Sequence, residues 1–494
     1  MKRVILYISC ILLGGAVTAS AQGASAAHDP YSAKWDVSAS SAQETSVAQD
    51  PSSGKVGASV QNISSAQGDS FVGNKVYTLQ DCLMEGLENN YSLRIEKNSQ
   101  RISDNNATLG NAGFLPTLSA SGMYSGSAQD NETKLRDTRE IVKENGIFNQ
   151  TIDAGVNLNW TIFQGFNVMT TYKKLKELQA QGELETRIAV ENLVADITAE
   201  YYNYIQQSIR LKNLKYAVGL SRERLRIVEQ RYRIGNFSGL DYQQAKVDFN
   251  SDSSAFMRQQ EALQSSAIAL NELLARENLN APIAVADTSI EVASELQFEH
   301  LMSSMMENNT SLLSARRDSR LAMLDYKLKV SQTYPYVRLN AGYGYTLNKY
   351  NKGTNYHRGS LGADFGVTIG MNIFDGNNLR RERRNAKINI ENARLEQTDM
   401  EQTLKSDLYN IWQAYRNNLQ VLDLEKENLV TARLNYEIAM ERYMLGDLSG
   451  IEMREAQKSL LNAEERLLTA SYNTKLCEIS LLQISGQVQA YLLP

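Results

Sequence analysis

Two glutamates in the last part of the chain are the residues whose types and spacing most directly suggest chemistry. Glu452 and Glu455 lie three positions apart at the start of a predicted helix, so their carboxylates share one helix face. Carboxylates gathered along a pore attract cations and can narrow the pore electrostatically. The alternatives are structural: an acid at position 452 suits a helix cap, and one at position 455 suits a solvated face.

The chain shows no assembled catalytic site. His28, His300 and His357 lack the spacing of metal ligands, and no phosphate-binding loop or nucleophile elbow is present. Cys82 and Cys477 could form a disulfide in an exported protein or could be two small buried helix residues, and the sequence leaves both open. A net charge of −5 without a basic stripe argues against nucleic acid. We therefore expect no enzymatic activity, no cofactor, no metal and no nucleic-acid partner.

A repeated turn motif positions the two glutamates. Residues 232–245 return as residues 443–456, at an offset of 211 positions. In the first copy, Gly235 can adopt the left-handed conformation that ends a helix. Ser238 and Asp241 then form a capping box for the next helix. The corresponding residues of the second copy are Gly446, Ser449 and Glu452. Each copy is therefore predicted to be the tip of a tight helical hairpin.

Each half of the chain also contains two stretches in which apolar and polar residues alternate. The predicted strands are about 117–127, 152–163, 336–347 and 361–374. Long strands with one apolar and one Gly-rich polar face are typical of an outer-membrane barrel wall, although a soluble sandwich also alternates. A membrane barrel needs about eight strands, and lipid tolerates no open sheet edge. If these strands span a membrane, several chains must therefore pool them.

Nearly all of the remaining sequence is predicted to be helix. Segments 167–234 and 378–445 carry seven-residue repeats typical of coiled coils and should each extend about 100 Å. The first repeat comprises Ile197, Tyr204, Leu211, Val218, Leu225 and Tyr232. The second comprises Leu408, Tyr415, Leu422, Leu429, Tyr436 and Tyr443. Shorter single helices are expected over 79–113, 239–276, 300–333 and 450–485.

The N-terminus is typical of an exported protein. A signal peptide is predicted over residues 1–21, because two basic residues precede an apolar run and a small-residue cleavage site. Residues 22–75 are rich in Ser and Ala and have few large apolar side chains, so a flexible leader is expected there. The folded part is predicted to be a duplication, with repeats over 76–298 and 299–488. The hairpin tips of the two repeats are expected at 235–239 and 446–450.

Several motifs in register with this duplication point to one family. They are the two Arg-Tyr-x-x-Gly-x-x-Ser tips, the Leu-Pro-x-Leu stretch at 115–118, and the strand ends at 162–165 and 373–376. With these motifs the chain resembles the TolC-like outer membrane efflux proteins from about residue 76 to 487. The resemblance implies an α+β membrane protein with long α-helical hairpin coiled coils. In a trimer, twelve antiparallel strands, four from each chain, would form one outer-membrane barrel above a periplasmic α-barrel.

The resemblance also implies a cellular location and partner proteins. Such proteins lie in the outer membrane of Gram-negative bacteria and act as homotrimers. They work with a periplasmic adaptor (membrane fusion) protein and an inner-membrane transporter of the RND or ABC class, and their barrel contacts outer-membrane lipid. The implied function is an exit duct of a tripartite efflux pump or of a type I secretion system, through which substrates pass passively.

The resemblance assigns roles to tip residues. Glu452 and Glu455 match the acidic ring at the family's constriction, which also includes a closing contact at Tyr443 and Asp241. Leu448 stands where the best-known members carry an arginine that pairs with an acid on the adjoining hairpin. Closure is therefore expected to rest on packing and on the tyrosine contact. The candidate adaptor contacts are Gly235, Asn236, Ser238, Gly446, Asp447 and Ser449.

The chief alternative is a periplasmic coiled-coil scaffold or adaptor with a soluble β-domain. Long strands with one apolar face disfavour this alternative. Solubility of the purified protein without detergent would favour it.

Overall fold

The computed structural model describes residues 76–235, 238–293 and 296–492. The predicted signal peptide at 1–21 and the leader at 22–75 lie outside the described residues. The strands are β1 (Val76–Tyr77), β2 (Thr117–Lys134), β3 (Ile141–Gln164), β4 (Ala284–Val285), β5 (Tyr336–Tyr350) and β6 (His357–Gly370). The helices are α1 (Leu79–Asn89), α2 (Tyr91–Asn106), α3 (Leu109–Ala112), α4 (Asn167–Arg233), α5 (Gly239–Leu273), α6 (Phe298–Asn308), α7 (Thr310–Ser331), α8 (Asn378–Leu445) and α9 (Gly450–Ile484). A 3₁₀ helix covers Val488–Leu492.

Four long strands form one antiparallel sheet in the order β2-β3-β5-β6. Consecutive strands of each half pair as hairpins, and β3 pairs with β5 to join the two halves. The apolar side chains of β6 point to one face and stay exposed, with Phe365 85% accessible. The sheet edges, β2 and β6, carry no further strand among the described residues. The short strands β1 and β4 pair separately and in parallel.

The strands differ in length from the alternation-based prediction. β2 and β3 extend beyond 117–127 and 152–163 and pair as far as Lys134 with Ile141. Their extra residues lack apolar alternation, so that signal could not reveal them. β5 likewise continues past 347, to Tyr350. β6 occupies 357–370 instead of 361–374. It ends at Gly370 because its partner there, Tyr336, directly follows a proline that cannot donate to a ladder, and it begins at His357, which pairs with Lys349.

The two long helices begin in the same way in both halves. Each follows two consecutive residues with positive φ, Gly165 and Phe166 before α4 and Gly376 and Asn377 before α8. At Gly165 a Cβ atom would lie 2.3 Å from the carbonyl oxygen of Ser331, so only glycine fits this strand-to-helix turn. With 67 and 68 residues, α4 and α8 each extend about 100 Å, as predicted.

The helices that precede each strand pair are broken, contrary to the prediction of single helices over 79–113 and 300–333. Both halves break at an asparagine, Asn90 or Asn309, and the first half breaks again before Leu109, where Thr108 caps α3. Each asparagine accepts a hydrogen bond from the backbone N–H three residues later, which starts a new helix. Each side-chain amide also donates to a carbonyl at the end of a returning helix, Leu273 at 3.0 Å and Ile484 at 2.9 Å. One asparagine thus joins three helix ends in each half.

Three hydrophobic clusters form the core. The first packs α1, α4 and α5 around the fully buried Tyr201, and the second packs α6, α8 and α9 around Tyr415. The third lies near the second tip and contains Tyr443. Of the second predicted heptad, Leu408, Tyr415, Leu422, Tyr436 and Tyr443 are buried, which confirms the coiled-coil seam on α8. The first heptad is buried at Ile197, whereas Tyr232 stays 45% exposed and stacks on Tyr242 instead.

Cys82 and Cys477 pack in different places, so no disulfide joins them. Cys82 lies in the first cluster, and Cys477 lies beside the second cluster, where the Asn418 amide contacts its sulfur at 3.4 Å. The structure therefore decides the open alternative in favour of two packed helix residues. None of the described helices is long and apolar enough to cross a membrane.

Candidate functional site

The two hairpin tips have the predicted geometry. Gly235 and Gly446 adopt φ values of +80° and +87°, and each lies where a long helix ends. Ser238 donates from its backbone N–H and its hydroxyl to the carboxylate of Asp241, at 3.2 and 2.7 Å, and accepts from the Asp241 N–H at 3.2 Å. Ser449 makes the same three contacts with Glu452, at 3.0, 2.8 and 3.2 Å.

Most of the candidate adaptor contacts are solvent-accessible at these tips. The exposed members are Gly235, Ser238, Gly446, Asp447 and Ser449. Asn236 lies outside the described residues. The glycines face open space, because a Cβ atom at either position would meet nothing within 4 Å. The backbone at both tips is therefore available to a partner.

The two predicted gate glutamates are both exposed at the start of α9. The Ser449 hydroxyl and N–H donate to Glu452 and hold the pKa of that carboxyl below its usual range. Glu452 therefore acts as a helix cap and remains ionised over a wider pH range than an ordinary glutamate. Glu455 lies three residues further on the same helix and makes no such cap contact.

A groove of about 260 Å³ separates the two hairpins of the chain just behind the tips. It brings together two of the predicted site residues, Asp241 from α5 and Glu455 from α9. Three basic side chains also line it, Arg224 from α4 and Arg454 and Lys458 from α9. The groove therefore combines opposite charges in comparable number, and it is shaped by two hairpins that are distant in sequence.

Below this groove lies a buried network of charges that the sequence analysis missed. Arg454 donates to both carboxylate oxygens of Asp252, at 2.7 and 2.5 Å, and lies 4.0 Å from Asp248. Asp248 in turn accepts from Arg224, so the network joins α4, α5 and α9. All four side chains are buried. A sequence signal existed: Asp248 and Asp252 lie three and seven residues after the buried Ala245, on the inward face of α5.

The tyrosine expected to help close the duct is packed inside its own chain. Tyr443 is 3% exposed and belongs to the third cluster, against which Leu448 also packs. Its hydroxyl is buried without a hydrogen-bond partner. The Asp241 carboxylate is occupied by Ser238, and no hydrogen bond joins it to Tyr443 in the described part of the chain. What the chain itself shows at Tyr443 is therefore ring packing.

Within residues 76–235, 238–293 and 296–492, no group of three or more His, Cys, Asp or Glu side chains is arranged to hold a metal ion.

Comparison with known proteins gives a consistent result. The family model described as "Outer membrane efflux protein" matches residues 83–276 and 301–487, which together make up more than half of the chain. The outer membrane protein TolC of Vibrio cholerae is 22% identical over 343 residues, covering 68% of this chain and 76% of that protein. The outer membrane efflux protein BepC of Brucella suis is 20% identical over 429 residues, covering 84% of this chain and 86% of that protein.

A solved structure shows the same fold. The CmeC outer membrane channel of Campylobacter jejuni superposes with a TM-score of 0.69 at 17% sequence identity. The match covers 83% of this chain and 85% of that one. At this identity the likeness establishes the fold alone.

Proposed function

Because this chain belongs to the outer membrane efflux protein family, we propose that it forms the outer-membrane exit duct of a tripartite efflux pump or type I secretion system. The family match confirms the predicted resemblance, and the fold match confirms the duplicated α+β architecture. In this proposal the duct is passive. It receives substrates from an inner-membrane transporter of the RND or ABC class through a periplasmic adaptor.

The observation that carries the proposal is the four-stranded sheet with two open edges and one exposed apolar face. An open edge is not tolerated in lipid, and four strands are too few to close a barrel. Three chains that pair β6 of one with β2 of the next remove every edge. The apolar face then meets lipid, and the polar, Gly-rich face lines the lumen.

The helical part supplies the periplasmic conduit. α4 and α8 each extend about 100 Å away from the sheet and then turn back at the tips. In a trimer these helices form the wall of a tube that continues the barrel toward the inner membrane. Their far ends carry the narrow entrance.

The gate lies at the second tip in this proposal. Threefold symmetry turns Glu452 and Glu455 into two rings of carboxylates, which favour cations. Tyr443 contributes closure through the packing of its ring, and Arg454 contributes by binding the first hairpin through Asp252. These contacts take the place of the charged lock that is missing at Leu448.

The tips are the docking points for the adaptor. A bulky side chain introduced at the tips, by Asp447→Trp or Asn236→Trp, should abolish pump activity while trimers still reach the outer membrane. Loss of trimers from the membrane would instead indicate a folding defect. Survival of full activity in both variants would argue against docking at the tips.

The function as a whole is tested in cells that lack the gene. Deletion should raise the accumulation of a fluorescent efflux substrate or abolish secretion of a protein substrate, and either result assigns the class of pump. The full chain should restore the activity and sediment with outer membranes. Recovery of the protein as a soluble periplasmic species would contradict the proposal and support the scaffold alternative.

A further inference from the structure

A second groove lies on the helical part, close to the sheet and far from the tips. It has a volume of about 480 Å³ and separates the start of α4 from the end of α7. Its rim carries four exposed basic side chains, Lys173, Lys176, Arg320 and Lys327. Its apolar wall includes Tyr172 and Met323. We call it the basic groove.

The positive charge of the basic groove is largely unbalanced within the chain. The acidic residue in its lining, Glu177, is paired with Arg317 at 3.0 Å. Lys173, Arg320 and Lys327 have no carboxylate partner among the described residues. Lys176 contacts only neutral groups, the Gln179 amide oxygen at 2.9 Å and the Tyr172 ring at 5.8 Å. The groove therefore suits an anionic ligand with an apolar part.

The packing of α4 shows which side of the helical wall carries the basic groove. The residues of α4 that meet α2 are Gln179, Gly182 and Thr186. Those that meet α7 are Lys174, Glu177 and Gln181. At about 100° per residue, the two sets lie roughly 120–140° apart around the helix axis. The layer of helices is thus curved, and Lys173 and Lys176 lie on its wide, convex side.

The basic groove is also continuous with the apolar face of the sheet. Trp160 belongs to that face and donates from its indole N–H to the carbonyl oxygen of Phe114 at 2.9 Å. The Phe114 ring makes an edge contact with Tyr172, at 6.0 Å between centroids. Tyr172 lies five residues after the start of α4, which places this end of the groove roughly 10–15 Å beyond the end of β3. Aromatic side chains at that level are typical of a membrane interface.

We propose that the basic groove binds an anionic phospholipid of the periplasmic leaflet of the outer membrane. The phosphate contacts the basic side chains on the rim, and the first carbons of an acyl chain lie against Tyr172, at the end of the groove nearest the sheet. Basic pockets at the cytoplasmic or matrix side of membrane proteins bind lipid headgroups by the same chemistry. The inference rests on the proposed function, because it requires the sheet to span the outer membrane. Its role would be to fix the depth of the barrel in the bilayer.

The test uses the detergent-purified full-length oligomer and native mass spectrometry. It is titrated with phosphatidylglycerol and, separately, with zwitterionic phosphatidylethanolamine. The groove variant is Arg320→Gln/Lys327→Gln, and the matched control is Lys212→Gln/Lys215→Gln, which removes two exposed lysines further along α4. We expect the wild type and the control to prefer phosphatidylglycerol. The groove variant should lose on the order of tenfold in phosphatidylglycerol affinity and little in phosphatidylethanolamine affinity.

Three outcomes would overturn the inference. One is unchanged phosphatidylglycerol binding in the groove variant. Another is displacement of the lipid by millimolar inorganic phosphate, which would indicate a simple anion site. The third is a groove variant that keeps lipid binding but no longer binds isolated cell-wall sacculi, which would make the cell wall, and not lipid, the ligand of the basic groove. Bilayer conductance of the same preparations separates this inference from the proposed function: a conducting oligomer with unaltered lipid binding contradicts only the basic groove. Failure to insert contradicts both.

Discussion

Arg454 in α9 donates two hydrogen bonds to Asp252 in α5, at 2.7 and 2.5 Å, across 202 residues of sequence. Both side chains are buried, and the contact joins the second hairpin to the first close to the tips. In a duct that opens by separating its hairpins, this pair must either break or move as a unit. The pair therefore links the packing of the two hairpins to the gate proposed at the second tip.

Arg454→Met should destabilise the tip region by about 3–5 kcal/mol, because it leaves the Asp252 carboxylate buried without its partner. The matched control is Lys426→Met, which removes an ion pair to Asp423 whose two side chains are 58% and 75% exposed, and should cost at most about 1 kcal/mol. Native-state hydrogen exchange of α8 and α9 amides measures both. The double variant Arg454→Met/Asp252→Leu should recover much of the loss, since no unpaired charge remains. Equal costs for the two single variants would contradict a structural role for the buried pair.

Tyr443→Ala should raise single-channel conductance, whereas Tyr443→Phe should leave it unchanged. The alanine variant removes a buried ring from the third cluster, which typically costs about 3–5 kcal/mol and loosens the second tip. The phenylalanine variant removes only a hydroxyl that has no hydrogen-bond partner. If Tyr443→Phe opened the channel as much as Tyr443→Ala, the hydroxyl would have to bond elsewhere in the assembled trimer.

Phe365→Arg should prevent assembly of the barrel in the outer membrane. The side chain lies on the apolar face of β6, and an arginine facing lipid near the bilayer midplane costs about 2–4 kcal/mol. Gly366→Arg is the control, because the next residue points to the opposite face and its Cβ would meet open space. The yield of heat-resistant oligomer in outer-membrane fractions is the readout. Equal yields for the two variants would mean that the apolar face does not meet lipid.

The capping box of Ser449 and Glu452 should make the stability of the second tip depend on pH. Ser449 lowers the pKa of Glu452, so the stabilisation is present above the usual glutamate pKa and is lost as pH falls through the lowered value. Ser449→Ala removes the hydroxyl contact, which moves the pKa of Glu452 back up, so that protection of the tip is lost at a higher pH. Hydrogen exchange at the start of α9, corrected for intrinsic rates, measures this shift. Identical pH profiles for the variant and the wild type would contradict it.

Local sequence signals predicted the parts of the fold that depend on neighbouring residues. The tips follow from a glycine and a serine-acid pair within a few positions, and the strands follow from alternation. The breaks at Asn90 and Asn309 were missed because the surrounding helical pattern continues across them. Each asparagine caps the next helix locally and also donates from its amide to the end of a distant helix, such as Leu273, and that second contact is not visible in the sequence.

In the candidate site, too, local features were predictable from the sequence and long-range contacts were not. The cap at Glu452 was predictable because Ser449 is three residues away. The pair of Arg454 with Asp252 was not, because it depends on how two hairpins pack. A charged residue on an inward helix face signals a buried partner, but the sequence does not say which partner it is.

The most direct test of the central claim is planar-bilayer conductance of the purified oligomer, measured as ion selectivity. The wild type should insert and show a small, cation-selective conductance, and Glu452→Gln/Glu455→Gln should lose that selectivity. Glu391→Gln/Glu396→Gln removes two exposed acids elsewhere on the second hairpin and should leave selectivity unchanged. A duct whose selectivity is the same in all three proteins would contradict an acidic constriction at the second tip, and an oligomer that never inserts would contradict the duct itself.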